Sequence, residues 1–463
     1  MGFLTMKPTV VIAGATGFIG RWFIQKYSEK YHIIALSRRD MNASLREGVE
    51  WRKVDMYSVS STIKALEGAD YALYLVHSMQ PSARLNQGTF DDTDLLLADN
   101  FARAADAVGI QQIIFMGGIL PKEESNFSRH LRSRYEVEQT LGARKPALTA
   151  LRAGIVVGPG GSSFEIVEKL VNRLPVMLCP KWTLSETQPI ALPDVLKIID
   201  YCLGNSESYS QAIEIGSDER TTYMDMMKQT AEILGKKRLI TSVPFFSLGL
   251  SKLWVALFSD SSTTFVSPLI ESLRHTMTVD EHPLMKKLDL DYMSYKDAVR
   301  YVLAYRDKLP ELPPGTSGRK VKNTVRSVQR LPNGSGMNAI QVSEEYLQWL
   351  PKSFKYLIKV ADQEDFVRFS LFGHTLLRLQ YVQDRSDEQR QLFYIVGGML
   401  AKRTDYGWLE FRSVLDDRYV IGAIHEFVPR LPWFIYINTQ ALLHLWVMKR
   451  FGKHLSRLRQ VVN

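Results

Sequence analysis

Cysteine is scarce in this sequence: 463 residues carry two, Cys179 and Cys202. Neither has the CxxC or Cys/His spacing of a zinc or redox site, so no metal ligands are expected and a reducing compartment is. Long hydrophobic runs are missing as well, since no window reaches the roughly 18 to 20 apolar residues that a transmembrane helix needs. The opening Met1-Gly2-Phe3-Leu4-Thr5-Met6-Lys7-Pro8 lacks the basic stretch of a secretory leader, and Met6 breaks the myristoylation pattern. The expected location is therefore cytoplasmic. Repeats and low-complexity tracts are lacking, and 45% hydrophobic with 23% charged residues is a globular composition. Acid is absent from the tail. No Asp or Glu follows Glu426, whereas Arg430, Lys449, Arg450, Lys453, Arg457 and Arg459 do. Of the formal net charge of +9, residues 1–160 hold +3, 161–320 hold −1 and 321–463 hold +7. Such asymmetry suits an anionic surface.

A chain of this length exceeds one ordinary domain of about 100 to 200 residues. Its first third alternates β-type apolar runs, at 9–13, 32–37, 50–55, 71–76, 112–116 and 147–151, with helical stretches, and a seventh run returns at 212–215. That rhythm predicts a parallel sheet with crossover helices. Stretches 156–200 and 220–305 leave it and read as a substrate lobe. Pro310, Pro313, Pro314, Gly315 and Gly318 then break any element. The expected class is α/β: a Rossmann parallel sheet with an inserted substrate lobe over 1–315, a linker over 316–330, and a smaller α+β, helix-grip-like domain over 331–463. Within the last, the pattern predicts a helix from Ser343 to about Phe354, alternation at Leu377, Leu379 and Tyr381, and a hairpin of 408–415 and 419–427 turning at Asp416-Asp417-Arg418. A closing helix carries the stripe Val447, Phe451, Leu455, Leu458 and Val462.

The strongest motif is Val10-Val11-Ile12-Ala13-Gly14-Ala15-Thr16-Gly17-Phe18-Ile19-Gly20. A buried strand runs into GxxGxxG, and a helix beginning near Gly17 aims its amides at a pyrophosphate. Where NAD sites carry an acid for the ribose 2′-hydroxyl, this chain has Ser37-Arg38-Arg39, whose hydroxyl and two guanidinium groups suit a 2′-phosphate. NADP(H) is thus expected over NAD(H); Asp40 lies beyond the strand end. Asp55, followed by Met56, is placed to meet the adenine amino group. Val76, His77 and Ser78 follow the fourth strand where the chain passes the nicotinamide. Ser162-Ser163-Phe164-Glu165 reads as a capping box. His425 and Glu426 are strand neighbours that point to opposite faces, which argues against a shared site.

Several further stretches, Leu75-Val76-His77-Ser78-Met79, Met116-Gly117-Gly118-Ile119-Leu120, Leu151-Arg152-Ala153-Gly154-Ile155-Val156-Val157-Gly158, Gly407-Trp408-Leu409-Glu410-Phe411-Arg412 and Phe427-Val428-Pro429-Arg430-Leu431-Pro432-Trp433, complete a pattern. Together with the glycine motif they resemble the extended short-chain dehydrogenase/reductase superfamily, and more narrowly its atypical bacterial members with a C-terminal domain of unknown function. The resemblance implies hydride transfer by a Ser, Tyr-x-x-x-Lys set. Aligning on Val137-Glu138-Gln139 puts His130 at the Tyr place and Arg134 at the Lys place, with the serine place on Gly117 or Gly118. His130 is then the candidate acid/base, with Tyr135 as its rival.

The leading expectation is an NADP(H)-dependent oxidoreductase acting on an apolar small molecule of lipid or quinone type. The alternative is a non-catalytic NADP(H)-binding sensor or scaffold, because every member of the catalytic set is changed. Pro432 to Met448 is apolar apart from Asn438, Gln440 and His444, and reads as a core helix gripped by the sheet or one lying in a lipid interface. Its basic flank makes an anionic membrane surface the expected partner. No nucleic-acid reading motif accompanies it.

Overall fold

The computed structural model describes residues 7–41, 45–77, 85–123, 127–243, 271–272, 274–315, 324–363, 365–402 and 407–458. They fall into two units: the first runs to His77 and resumes at Asn100, and the second takes the residues up to Asp99 between them and everything from residue 324.

In the first unit β1 (Thr9–Ala13), β2 (His32–Ser37), β3 (Val49–Lys53), β4 (Tyr71–Tyr74), β5 (Gln112–Gly118), β6 (Ala147–Ala153) and β7 (Gln211–Ile215) form one parallel sheet in the order β3-β2-β1-β4-β5-β6-β7. Val10 to Ala13 are wholly buried, as a parallel strand covered on both faces requires. Helices α1 (Phe18–Tyr27), α2 (Val59–Leu66), α3 (Phe90–Val108) and α4 (Arg129–Leu141) follow β1, β3, β4 and β5. Strand order reverses between β1 and β4, which opens the crevice where such sheets bind ligands.

Helix α6 (Leu192–Cys202) precedes β7 and packs with α1 on the core of the parallel sheet, whereas the lobe is built from α5 (Ser162–Arg173), α7 (Tyr223–Ile233) and α8 (Tyr295–Tyr305), with the short strands Val176–Pro180 and Leu239–Val243 paired in parallel. Its cores gather Phe164, Tyr223, Tyr295 and Val299, and Leu170, Met177, Cys179 and Met227. Burial pushes the Cys179 thiol up to about 11, which removes it from thiolate chemistry. The capping box expected at Ser162 is not formed. Ser162 is already inside α5, Gly161 occupies the cap position, and no side chain caps it.

The second unit contains β8 (Val325–Pro332), α9 (Ala339–Ser353), β9 (Ile358–Gln363), β10 (Phe366–Leu371), β11 (His374–Tyr381), β12 (Arg390–Gly397), β13 (Trp408–Val414), β14 (Tyr419–Phe427), a short helix Trp433–Asn438, and α10 (Gln440–Leu455). The strands form an antiparallel sheet in the order β9-β10-β11-β12-β13-β14-β8, and the strand Leu85–Gln87 adds to β8 in parallel. Val342, Trp349 and Leu350 of α9 and Val447, Phe451 and Leu455 of α10 share one core with Phe369, Phe393, Phe411 and Phe427 of the strands. Hairpin β13–β14 turns at Leu415, Asp416 and Asp417, with φ of +54, +55 and +57°.

Two domain limits need correction. Val325 to Arg330, expected in the linker, belong to β8, and residues 85–99, expected in the first domain, group with the second unit. The cause is long-range pairing invisible in local pattern: Leu85–Gln87 lies along β8, Arg330 Nε donates to Asp92 at 2.8 Å, and Arg412 donates to Asp99 at 2.7 Å. The last helix also ends at Leu455, before Leu458, while Val462 and Arg459 lie outside the described residues.

Candidate functional site: a dinucleotide crevice at the strand ends

The glycine turn is dictated by crowding. Gly14 has φ +94°, and a Cβ there would stand 2.9 Å from the Leu75 carbonyl oxygen at the end of β4. A Cβ on Gly20 would stand 2.5 Å from the Gly14 carbonyl oxygen, so only glycine lets α1 close on the turn. The Gly17 amide donates to Gly14 O at 2.9 Å. No side chain caps α1 and its first turn holds no acid, which leaves the following amides and the positive dipole end for an anion. Thr16, half-buried, accepts from Arg21 Nε at 2.8 Å through its carbonyl. Phe18 and Ile19 pack on the core, and the Phe18 ring lies against Gly158 and Gly161. Trp22 Nε1 donates to Pro159 O at 3.1 Å. The Gly158-Pro159-Gly160-Gly161 loop therefore rides on α1, a role that sequence reasoning missed although four turn-formers in a row signal it.

Register brings the remaining expected residues to the same end of the sheet. Ile12 pairs with Ala35, so the Gly14 turn and Ser37 leave neighbouring strands side by side. Ser37 is buried and its Oγ accepts from the Arg39 amide at 3.0 Å, shaping the turn from which Arg38 and Arg39 project into solvent. Gly315 lies along the Arg39 stem, where an added Cβ would approach Arg39 Cβ at 3.4 Å. Asp55 accepts from the Tyr57 amide at 3.2 Å, and Met56 O accepts from Asn100 Nδ2 at 2.8 Å, so α3 holds this loop.

On the other side of β1, His77 and His130 come together with ring centroids 5.1 Å apart. Their pairing was not foreseen: one follows β4, the other opens α4, and only the fold joins them. Ser128 caps α4 by accepting from the Leu131 amide at 3.2 Å. Arg134 is buried, lies over the Phe115 ring at 4.6 Å, and donates to Val76 O at 3.2 Å and to Met116 O. Its guanidinium thus ties the ends of β4 and β5. Gly117 and Gly118 end β5 without a hydroxyl, and Tyr135 stands edge-on to Phe127 at 5.6 Å. Ser78 lies outside the described residues.

In the second unit His425 and Glu426 go to different partners. His425 Nε2 meets Glu410 Oε1 at 3.2 Å, and Glu426 accepts from Arg326 Nε at 2.9 Å. Glu410, wholly buried, also accepts from Arg390 at 2.7 Å and Arg412 at 2.9 Å. Burial alone would push its carboxyl up, but Arg412, Arg390 and His425 outweigh that and hold it well below the ordinary carboxylate range.

A parallel sheet with this strand order, an uncapped glycine turn at its switch point and crossover helices defines a dinucleotide-binding Rossmann unit. Residues 14–167 match the NAD(P)H-binding family, and the first unit holds an NAD(P)H-binding domain. The chain is 28% identical over 114 residues to the auxiliary protein GraX of Staphylococcus aureus, covering 24% of this chain and 37% of that one. It is 25% identical over 250 residues to a ceramide reductase of Caulobacter vibrioides, covering 51% and 74%. The match thus takes in little more than a third of the first relative's length. A solved nucleoside-diphosphate-sugar epimerase of Staphylococcus aureus superimposes with a TM-score of 0.51 at 14% identity over 63% of this chain and 99% of that one, a likeness of fold. The expected Rossmann dinucleotide-binding unit is borne out, and a separate sheet domain extends beyond it.

Proposed function

We propose that this chain is an NADP(H)-dependent oxidoreductase acting on an apolar small molecule of lipid or quinone type. The observation that carries the reading is the pairing of an uncapped α1 N-terminus with Arg38 and Arg39 at the same end of the adjoining strand, where an acid would select NAD. The similarity to a ceramide reductase supports the apolar substrate class. The residues present fit a dinucleotide, because the tight glycine turn brings β1 directly into an α1 N-terminus that no side chain caps and no acid occupies. The bound nucleotide supplies hydride chemistry. The chain supplies phosphate binding through the first turn of α1, a positive clamp through Arg38 and Arg39, and a proton at a ring nitrogen of His130, with His77 beside it. Arg134 acts through the backbone it ties, as a positioning residue.

Calorimetric titration with NADPH and NADH is the test. NADPH is expected to bind at least about tenfold more tightly, about 1.4 kcal/mol, with Arg38→Ala removing most of the difference; equal affinities would sink the 2′-phosphate argument. With an accepted carbonyl or quinone substrate, His130→Ala is expected to lower turnover by about 10² to 10⁴ while nucleotide affinity holds.

One observation favours a second reading, a non-catalytic NADP(H)-binding sensor or scaffold. The serine place holds glycine, and the cation at the lysine place is buried against two carbonyls. Tight NADPH binding without turnover across a lipophilic carbonyl and quinone panel would select it.

A further inference from the structure

We propose that the solvent face of α10, together with the helix Trp433–Asn438, is an interfacial docking surface for an anionic lipid bilayer. α10 sends Ala441, Val447, Met448, Phe451 and Leu455 into the core of the second unit. Left outside are Leu442, Leu443, Trp446, Lys449, Arg450 and Lys453, which recur at three- and four-residue steps and so share the opposite face. That face is divided along its length. Its first two turns are apolar, with Leu442 57%, Leu443 50% and Trp446 43% exposed, and its next two are basic.

The apolar part extends beyond one helix. Phe434, 77% exposed, and Ile435 project from the preceding helix. Phe354 sets its ring edge-on to Trp446 at 5.8 Å, and the exposed Tyr356 and Leu357 follow it in the chain. The Arg450 guanidinium lies over the Trp446 ring at 4.7 Å, so cation and aromatic meet where the two halves join. Contiguous exposed apolar residues mark an interaction site.

Charge decides the occupant. Lys449, Arg450 and Lys453 continue the apolar turns, Lys352 and Lys355 flank Phe354, and no acid follows Glu426. A second copy meeting this face across a two-fold axis brings the same cations against themselves. A polynucleotide satisfies the cations but leaves Phe434, Leu442 and Leu443 in water. An anionic bilayer accepts both halves, with leucine and phenylalanine entering the acyl boundary, Trp446 at the headgroup level, and lysine and arginine at the phosphates. The surface is independent of the oxidoreductase reading.

Co-sedimentation of the full chain with phosphatidylglycerol/phosphatidylcholine vesicles and with phosphatidylcholine vesicles tests it at low and high salt. Expected are pelleting with the anionic vesicles that weakens with salt, and at least tenfold weaker binding for both Leu442→Ser/Trp446→Ser and Lys449→Glu/Arg450→Glu. NADPH affinity, measured in parallel, is expected to stay unchanged in both variants, which keeps the outcome apart from any failure of the cofactor site. Three results overturn the proposal: equal pelleting of wild type and variants, equal pelleting on neutral vesicles, or no vesicle binding alongside a dimer or a polynucleotide complex that these variants dissolve.

Discussion

The central strands β1, β2, β4 and β5 of the first unit contain no Asp, Glu, Lys or Arg, and the candidate site groups stand at or just past the strand ends, at Ser37 to Arg39, His77 and His130. β13 and β14 of the second unit do the reverse, with Glu410, Arg412 and His425 wholly buried in mid-strand. A parallel sheet covered on both faces confines chemistry to its rim. An antiparallel sheet needs only one apolar face, so its other face tolerates charge when every charge is paired. The first arrangement leaves groups for a ligand, and the second uses them up within the protein.

The largest expected effect breaks the second arrangement. Glu410→Gln removes the carboxylate shared by Arg390, Arg412 and His425, and should cost about 3 to 5 kcal/mol in denaturant unfolding. Arg38→Ala, at an exposed rim position, should stay within about 0.5 kcal/mol of wild type. Similar losses for both would erase the contrast.

A pH series sharpens the comparison next. His444 lies half-buried in α10 with its Nε2 at 3.1 Å from Ser327 Oγ, and desolvation of the ring lowers its pKa to about 4. The unfolded chain, with the imidazole near 6.5, takes up the proton first, so this part of the stability is whole above that value and is lost as pH falls from about 6.5 toward 4. The loss is on the order of 3 kcal/mol. Urea midpoints between pH 7.5 and 4 should show it in wild type and a flatter profile in His444→Gln.

A smaller loss, of binding rather than of stability, is expected at the rim. Gly20→Ala forces a methyl against the Gly14 carbonyl and should weaken NADPH binding by tenfold or more, about 1.4 kcal/mol, in the same calorimetric assay. An unchanged affinity would show that the turn yields without disturbing its amides.

Strands in the buried sheet were legible because their residue types leave no other choice: Thr9–Ala13 and His32–Ser37 fall where the apolar runs put them. Helix starts were less so. Asn338-x-x-Gln341 forms a full capping box that begins α9 four residues ahead of the expected Ser343, while the similar Ser162-x-x-Glu165 does not, because Gly161 takes the cap position. In the site, the glycine turn and Ser37 to Arg39 were readable from spacing alone. The meeting of His77 with His130, the commitment of Arg134 to two carbonyls, and the gathering of Arg390, Arg412 and His425 around Glu410 were not, since each depends on neighbours far apart in sequence.

The strand Leu85–Gln87 and the acids of α3 also place a demand on timing. Asp92 precedes its partner Arg330 by 238 residues, and Asp99 precedes Arg412 by 313. At roughly 5 to 20 residues per second of synthesis, these acids leave the ribosome on the order of ten seconds to a minute before the guanidinium groups that neutralise them. During that interval Leu85–Gln87 is a strand without its ladder. Its three residues offer a short edge for pairing with other chains, and the nearby Asp91, Asp92 and Asp94 keep that edge charged and wet, which are two of the devices by which proteins guard an unpaired edge. The second unit therefore finishes last, around a segment that has waited for it.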